Sequence, residues 1–196
     1  MVKTHEPPAR RWARTDATQQ RILDAATEVF SARGFTAATM ADIVTASGAS
    51  IGSIYHHFGG KKELFRAIFE RLGADIDRCI DAATDRSGDL DRQHTFEANA
   101  RAYLYAMWAN RRAAMLLVSG DTPAGFDAVR RSSMLRGFRR WASVLELDTS
   151  PRGQLLTRTL TAVMAEASTM VITCTDEAEV GPITDATIEC IERLTR

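Results

Sequence analysis

The sequence is poor in the groups that announce metal or redox chemistry. Its three cysteines, Cys79, Cys174 and Cys190, are odd in number and form no C-x-x-C pair, and its four histidines, His5, His56, His57 and His94, are scattered apart from one adjacent pair. Neighbouring residues on a helix point about 100° apart, so His56 and His57 do not converge on one ion, and no H-E-x-x-H pattern is present. No metal and no cofactor is expected. Cysteines of this kind ordinarily serve as small buried hydrophobes; a redox pair between Cys174 and Cys190 is the alternative they leave open. The N-terminus has no apolar signal region, and apolar runs such as Ala113 to Val118 are far too short to cross a bilayer, which points to a cytoplasmic protein with no membrane partner. Strand-like alternation and internal repeats are also missing, which leaves an all-α chain. No nucleophile and base stand at a recognisable spacing, so an enzyme is not expected.

Net charge is missing too. The 25 basic and 25 acidic residues cancel, and a neutral chain is an unpromising partner for nucleic acid until the distribution is inspected. Residues 1–62 carry eight Lys or Arg against five Asp or Glu, whereas residues 63–196 carry seventeen against twenty. Phosphate neutralisation supplies most of the sequence-independent affinity for DNA, so the small surplus at the N-terminal end has the sign that such binding needs. At 196 residues and 45% hydrophobic content, the chain can hold one mid-sized domain or a small one joined to a larger one.

The basic end contains the stretch from Thr39 to Lys61, TMADIVTASGASIGSIYHHFGGK. Ile43 and Val44 lie on one side of a first short helix, Gly48 stops it, Ser50 can cap a second, and Ile54 with Phe58 returns the apolar face four residues apart. This spacing describes two helices across a tight turn, a helix-turn-helix. The second helix leaves Ile51, Gly52, Ser53, Tyr55 and His56 on or near its outer side, without a carboxylate to repel phosphate. The same spacing also describes a plain helical hairpin inside an all-helical core.

Before this stretch, Met1 to Arg14 holds Lys3, Arg10, Arg11 and Arg14 with two prolines, and reads either as a mobile arm reaching along DNA or as a solvated tail. A first helix is expected from a cap at Thr15 or Asp16 to about Arg33, with Ile22, Ala26, Val29 and Phe30 on one face and Gly34 as its stop. Phe35 then joins Ile43, Ile54 and Phe58 in a small three-helix core. Lys61 opens another helix, where outward N–H groups suit a phosphate. Leu64, Ile68, Leu72, Ile76 and Ile80 carry that helix beyond the small core, as a lever toward the rest of the chain. A polar loop is expected over residues 84–91. Further helices follow at about Gln93 to Asn110, Arg112 to Val118, Ala124 to Leu147, Gly153 to Cys174 and Ile183 to Leu194.

RILDAATEVF, GFTAATMADIVTASGAS and GSIYHHFGGKKELF together resemble the N-terminal signature of the TetR family of bacterial one-component repressors, from Arg21 to Phe65. Val44 stands where the family usually has alanine, and Ala49 where it has valine. The resemblance implies a three-helix DNA-binding domain over residues 15–60, after the arm at 1–14, and a larger helical domain for effector binding and dimerisation over 61–196. It implies a double-stranded DNA operator as partner, with Thr39, Ser50, Ile51, Gly52, Ser53, Tyr55, His56 and Lys61 as the contact surface; Tyr55, His56 and Lys61 meet the backbone. It implies a homodimer closed by the last two helices, where Leu155, Leu156, Leu160, Val163, Ala167 and Met170 stripe one and Ile188, Ile191 and Leu194 the other, although packing within one chain explains the same stripes.

The resemblance also implies an effector cavity, for which the bulky side chains Tyr103, Met107, Trp108, Met115, Phe126, Met134, Phe138, Trp141, Met164 and Met170 are candidates, each equally able to fill a plain core. Arg101, Asn110, Glu166 and Thr169 are the polar groups that could orient a ligand. Glu166 stands out as an acid in an apolar stretch, with the solvent-facing side of its helix as the other reading. The function expected is a repressor released from its operator by a small apolar or amphipathic effector. The alternative is a helical small-molecule carrier or enzyme with an incidental hairpin.

Overall fold

The computed structural model describes residues 8–88 and 91–195, with the side chains of residues 8–14, 135, 138 and 142 outside that description. Every regular element in it is helical: α1 Pro8–Ala37, α2 Met40–Ser47, α3 Ile51–Phe58, α4 Lys61–Ser87, α5 Arg92–Ala109, α6 Arg111–Val118, α7 Phe126–Val144, α8 Pro151–Thr173 and α9 Val180–Thr195, with a 3₁₀ turn at Glu177–Glu179 before the last.

Local chemistry explains most of the boundaries. Thr39 caps α2 by accepting from the Asp42 amide at 3.1 Å, while the Asp42 carboxylate returns a bond to the Thr39 amide at 2.9 Å. Gly48 ends α2 in the left-handed region at φ 64°, and Ser50 starts α3 by accepting from the Ser53 amide at 3.1 Å. Gly34, at φ 78°, breaks α1 where the sequence predicts its stop. The other end of α1 differs from expectation: the helix is already formed at Pro8, the first described residue, well ahead of Thr15 and Asp16. Lys3 and the rest of residues 1–7 lie outside the described residues. The polar segment expected as a loop from residue 84 stays helical to Ser87. Thr84 Oγ1 donates to the Ile80 carbonyl at 2.9 Å and also lies 2.9 Å from Asn99 Oδ1, and Ala83 and Ser87 are buried.

Two hydrophobic clusters organise the helices. The first joins Ile22, Phe30, Ile43, Ile54 and Phe65 but does not end at Gly60; it continues through Ile68 and Leu72 of α4, Ala113, Ala114 and Leu116 of α6, Phe126 and Ile172. Val44 packs against this cluster and Ala49 is buried within it, so both departures from the family pattern sit in one packed unit. The second cluster joins Phe96, Leu104, Leu160, Met164, Val171, Ile188 and Ile191 of α5, α8 and α9. α4 packs along α5, α8 along α9, and α7 against α5 and α8. One helix, α8, is long and apolar enough to cross a membrane by length and composition alone; a third of its apolar window is buried inside the fold.

The α9 stripe is used inside the protomer. Ile191 is fully buried and Ile188 nearly so, which leaves Leu194 as the exposed member of the three. Ile191→Asp would therefore place an unpaired charge in the second cluster and cost at least about 3 kcal/mol. Its unfolding midpoint in urea should fall sharply; an unchanged midpoint would show that Ile191 is not core.

Candidate DNA-reading surface and effector cavity

The outer face of α3 is open. Ile51 is 48% exposed and Tyr55 51%, Gly52, His56 and the capping Ser50 are exposed beside them, and Ser53 is half-buried. Ile54 is fully buried beneath this face and anchors it to the first cluster. From Ile43 to Lys62 there is no Asp or Glu; of the two acids that flank this stretch, Asp42 is engaged by the Thr39 cap and by Arg33 at 3.0 Å, and Glu63 lies beside Gly60 at the start of α4. Thr39 is exposed at the same end, its hydroxyl shared with that cap.

Lys61 has more company than the sequence suggests. Its ammonium donates to the Thr36 carbonyl at 3.1 Å and lies 4.5 Å above the Phe35 ring. Thr36 is held from the opposite side by Asp121, in the loop between α6 and α7. The Thr36 amide donates to the Asp121 carboxylate at 3.0 and 3.2 Å, and the Thr36 hydroxyl donates to it as well. A Cβ on Gly34 would overlap that carboxylate, so this position needs glycine both for its positive φ and for the close approach. Five residues on, Phe126 stands edge-on to Phe65 at 5.0 Å and Phe69 at 5.1 Å. Arg112 of α6 also pairs with Glu28 of α1. The chain leaving α6 thus grips the turn that precedes the helix-turn-helix, a contact with no local sequence signal because its partners are 85 residues apart.

Behind this junction lies a cavity of about 1120 Å³ between α4, α7 and α8, slightly larger than is usual for ligand sites. Among the expected residues, Tyr103, Met107, Met134, Trp141 and Met164 line it, and Thr169 does so among the polar candidates. Ser168 Oγ bridges the Tyr103 hydroxyl at 3.0 Å and the Met164 carbonyl at 2.6 Å. Burial raises the Tyr103 phenol above its ordinary pKa, with the Ser168 bond opposing in part, so Tyr103 enters the cavity wall as a neutral hydroxyl. Trp141 packs edge-on to Tyr103 at 5.5 Å and to Phe96 at 5.2 Å.

The other expected pocket residues lie elsewhere. Phe126 is buried in the first cluster at the junction. Trp108 packs against the second cluster under the Arg111 guanidinium, 4.6 Å away. Met115 and Met170 are 47% and 48% exposed and lie outside the cavity. Glu166 is exposed, which is the solvent-facing alternative of its stretch. Phe138 falls outside the described side chains. Arg101 pairs with Asp185 at 2.7 Å, Asn110 Nδ2 donates to the Ala106 carbonyl at 3.0 Å, and neither lines the cavity. What the sequence reading missed is the α4 wall, Phe69, Gly73 and Ile76, and the arginines of α7. The four-residue stripe running past the small core was the available signal for the α4 wall. Of the cysteines, Cys174 is buried, with burial raising its thiol pKa, and Cys190 is exposed.

A small helical unit with an exposed, acid-free helix after a tight turn, packed on a larger helical body, has the form of a helix-turn-helix unit. Residues 22–68 match the bacterial regulatory proteins of the tetR family. The chain is 35% identical over 95 residues to the HTH-type transcriptional regulator SrpR of Pseudomonas putida, covering 48% of this chain and 42% of that protein. It is 35% identical over 113 residues to the HTH-type transcriptional repressor ComR of Escherichia coli, covering 58% and 49%. The matches therefore span about half the length of these relatives. Among solved structures, a TetR-like transcriptional regulator from Rhodococcus sp. RHA1 superposes with a TM-score of 0.71 at 25% identity, over 91% of this chain and 93% of that one. A regulator from Aquifex aeolicus shares the fold at a TM-score of 0.72 and 19% identity, over 90% and 99%. Residues 22–68 thus carry the signature of the tetR family, and the chain as a whole has the fold of TetR-like transcriptional regulators.

The junction carries its own pH signature. Hydrogen bonds from the Thr36 hydroxyl, then from its amide, and then the charge of Lys61 hold the Asp121 carboxyl below the ordinary carboxylate value. A folded-state pKa below the unfolded one stabilises fully above about pH 4 and is lost as pH falls through the depressed value. The stability gap between the native protein and Asp121→Asn should therefore be constant near neutrality and shrink in acid. Urea midpoints that stay equally far apart between about pH 6 and 3 would refute the charged Asp121–Thr36 contact.

Proposed function

We propose that this chain is a cytoplasmic, homodimeric repressor which a small apolar or amphipathic effector releases from its operator. The observation that carries the reading is continuity. The cavity wall α7 runs straight into the loop whose Asp121 holds Thr36, and Thr36 stands three residues before the cap of α2. A ligand that fits the cavity better when α7 is displaced therefore biases the position of α3. DNA affinity falls in proportion to that preference.

In this reading Ile51 and Ser53 project toward base edges, while Tyr55, His56 and Lys61 meet phosphates, with Thr39, Ser50 and Gly52 completing the contact surface. Lys61→Ala should weaken binding to all duplexes by a similar factor and lower the slope of log affinity against log salt by about one. An unchanged slope would assign Lys61 to bracing Thr36 alone. Ile51→Ala and Ser53→Ala should instead change which sequence is selected from a random duplex pool; identical selected sequences for both variants would remove them from base readout. Absence of any salt-dependent duplex binding by the native protein would favour a carrier or enzyme.

Dimerisation is assigned to the exposed face of α8. Leu155, Thr159, Ala162, Glu166, Met170 and Thr173 fall on one stripe at helical spacing, open or half-open to solvent. Small residues along it let a second copy approach closely, and a partner helix covers the exposed Leu155 and Met170 more economically than water does. Ala162→Arg adds bulk and charge at the middle of the stripe without entering either cluster. It should give folded monomers by light scattering, with weakened binding to a site of two half-sites about 34–36 Å apart. A dimer that persists would place the interface elsewhere.

A further inference from the structure

The charged part of the cavity wall is unbalanced in one place. α7 carries five arginines and a single acid, Asp127. Arg130, Arg136 and Arg140 line the cavity, with Arg66 from α4. Three of these four are neutralised: Arg66 by Glu70, Arg130 by Asp127, and Arg140 by Asp81 at 2.6 Å and Asp77 at 3.7 Å. Glu70 and Asp77, the acids of the wall, are both consumed in those pairs. Arg136 has no carboxylate partner among the described residues. Its guanidinium turns back along its own helix, donating to Ser132 Oγ at 3.1 Å and to Ser133 Oγ at 2.7 Å.

Both serines also line the cavity. Each accepts from Arg136, and neither donates to the carbonyl one turn back, as Thr157 and Ser168 do on the α8 wall. Two hydroxyl protons and the remaining guanidinium N–H groups are therefore left to donate from one spot, and that spot offers no acid. An acceptor-only oxyanion matches such a donor set; an ammonium has nothing there to donate to. The rest of the wall is apolar, including Phe69, Ile76, Met107, Trp141 and Leu160.

We infer that the cavity takes a single-chain amphiphile with an anionic head, the head bound by Arg136, Ser132 and Ser133 and the chain lying among the apolar groups between α4 and α8. This rests on the reading of the cavity as the effector site. Carboxylate and phosphate heads share the required chemistry, since both accept two parallel bonds from a guanidinium.

The test is calorimetric titration of the full chain with dodecanoate, dodecyl phosphate, dodecanol and dodecyltrimethylammonium below their micelle concentrations, with circular dichroism confirming the fold throughout. At least one of the two anions should bind about tenfold tighter than dodecanol or the cation, as expected for one partly exposed charge-assisted contact. The tighter of the two identifies the head group. Arg136→Gln should bring the anions to the level of dodecanol and leave dodecanol unchanged; Arg136 is exposed, so the fold should tolerate the change. Arg136→Lys should recover part of the difference by keeping the charge without the fork. Equal binding of all four probes, preference for the cation, or an anion preference that survives Arg136→Gln would overturn the head site while leaving the cavity as an effector site. Failure of all four to bind would overturn both.

Discussion

Thr36 is the point through which the two halves of this protein address each other. Its amide and hydroxyl donate to Asp121, which belongs to the segment leading into α7, and its carbonyl accepts from Lys61 at the start of α4. One residue in the last turn of α1, past the Gly34 break, has its backbone polar groups satisfied by two other segments of the chain. If either segment moves, water takes over at those exposed groups, so the contact fixes a direction more than it adds stability. The orientation of α2 and α3 is thereby tied to the position of α7.

The hydrogen bonds and the aromatic contacts at this junction do different work. Thr36 is exposed and Asp121 half-buried, and polar contacts that water can reach contribute little net stability because water competes for both partners. Phe126, packed edge-on to Phe65 and Phe69, is buried, and an aromatic side chain of this kind contributes several times as much through removed apolar area. The aromatic cluster therefore holds the halves together, and the directional Asp121 contact sets the register in which they are held. The division suits a switch: register can change at small cost while cohesion stays.

The helices were legible because their signals are local. Caps at Thr39 and Ser50, the glycine at 48 and the four-residue stripes each act within one or two turns, and the reading surface on α3 follows from which residues share a face with Ile54. The cavity was only half legible. Met107, Met164 and Trp141 line it, whereas Met115 and Phe126, equally bulky and soft, do not, because composition carries no information about which side of a helix meets a void and which meets a neighbour. The α9 stripe shows the same limit: Ile188 and Ile191 have the spacing of an interface but are buried within their own protomer. Contacts such as Thr36 with Asp121, or Arg71 with Asp24 at 2.7 Å, depend on tertiary placement and leave no periodic trace.

How much a ligand must do can be bounded. Moving a two-state regulator from almost wholly bound to almost wholly released needs a ligand preference of about 10⁴ between the two conformations, or about 5.5 kcal/mol. At about 25 cal/mol per Å² of apolar area, this corresponds to roughly 220 Å² more apolar surface removed from water in the preferred state, on the order of one aromatic side chain. Val118 and Met134 are exposed and line the cavity. Closure of α7 over a bound chain, covering these two together with part of the ligand, is of the right size, and no rearrangement of the clusters is required. On the proposed mechanism linkage makes the effect reciprocal: an α7 displacement that lowers affinity for DNA must, when DNA holds α3 in place, lower affinity for the ligand by an equal factor. The shared first cluster enforces this, because it runs without a break from the helix beneath the reading face to the first residue of α7.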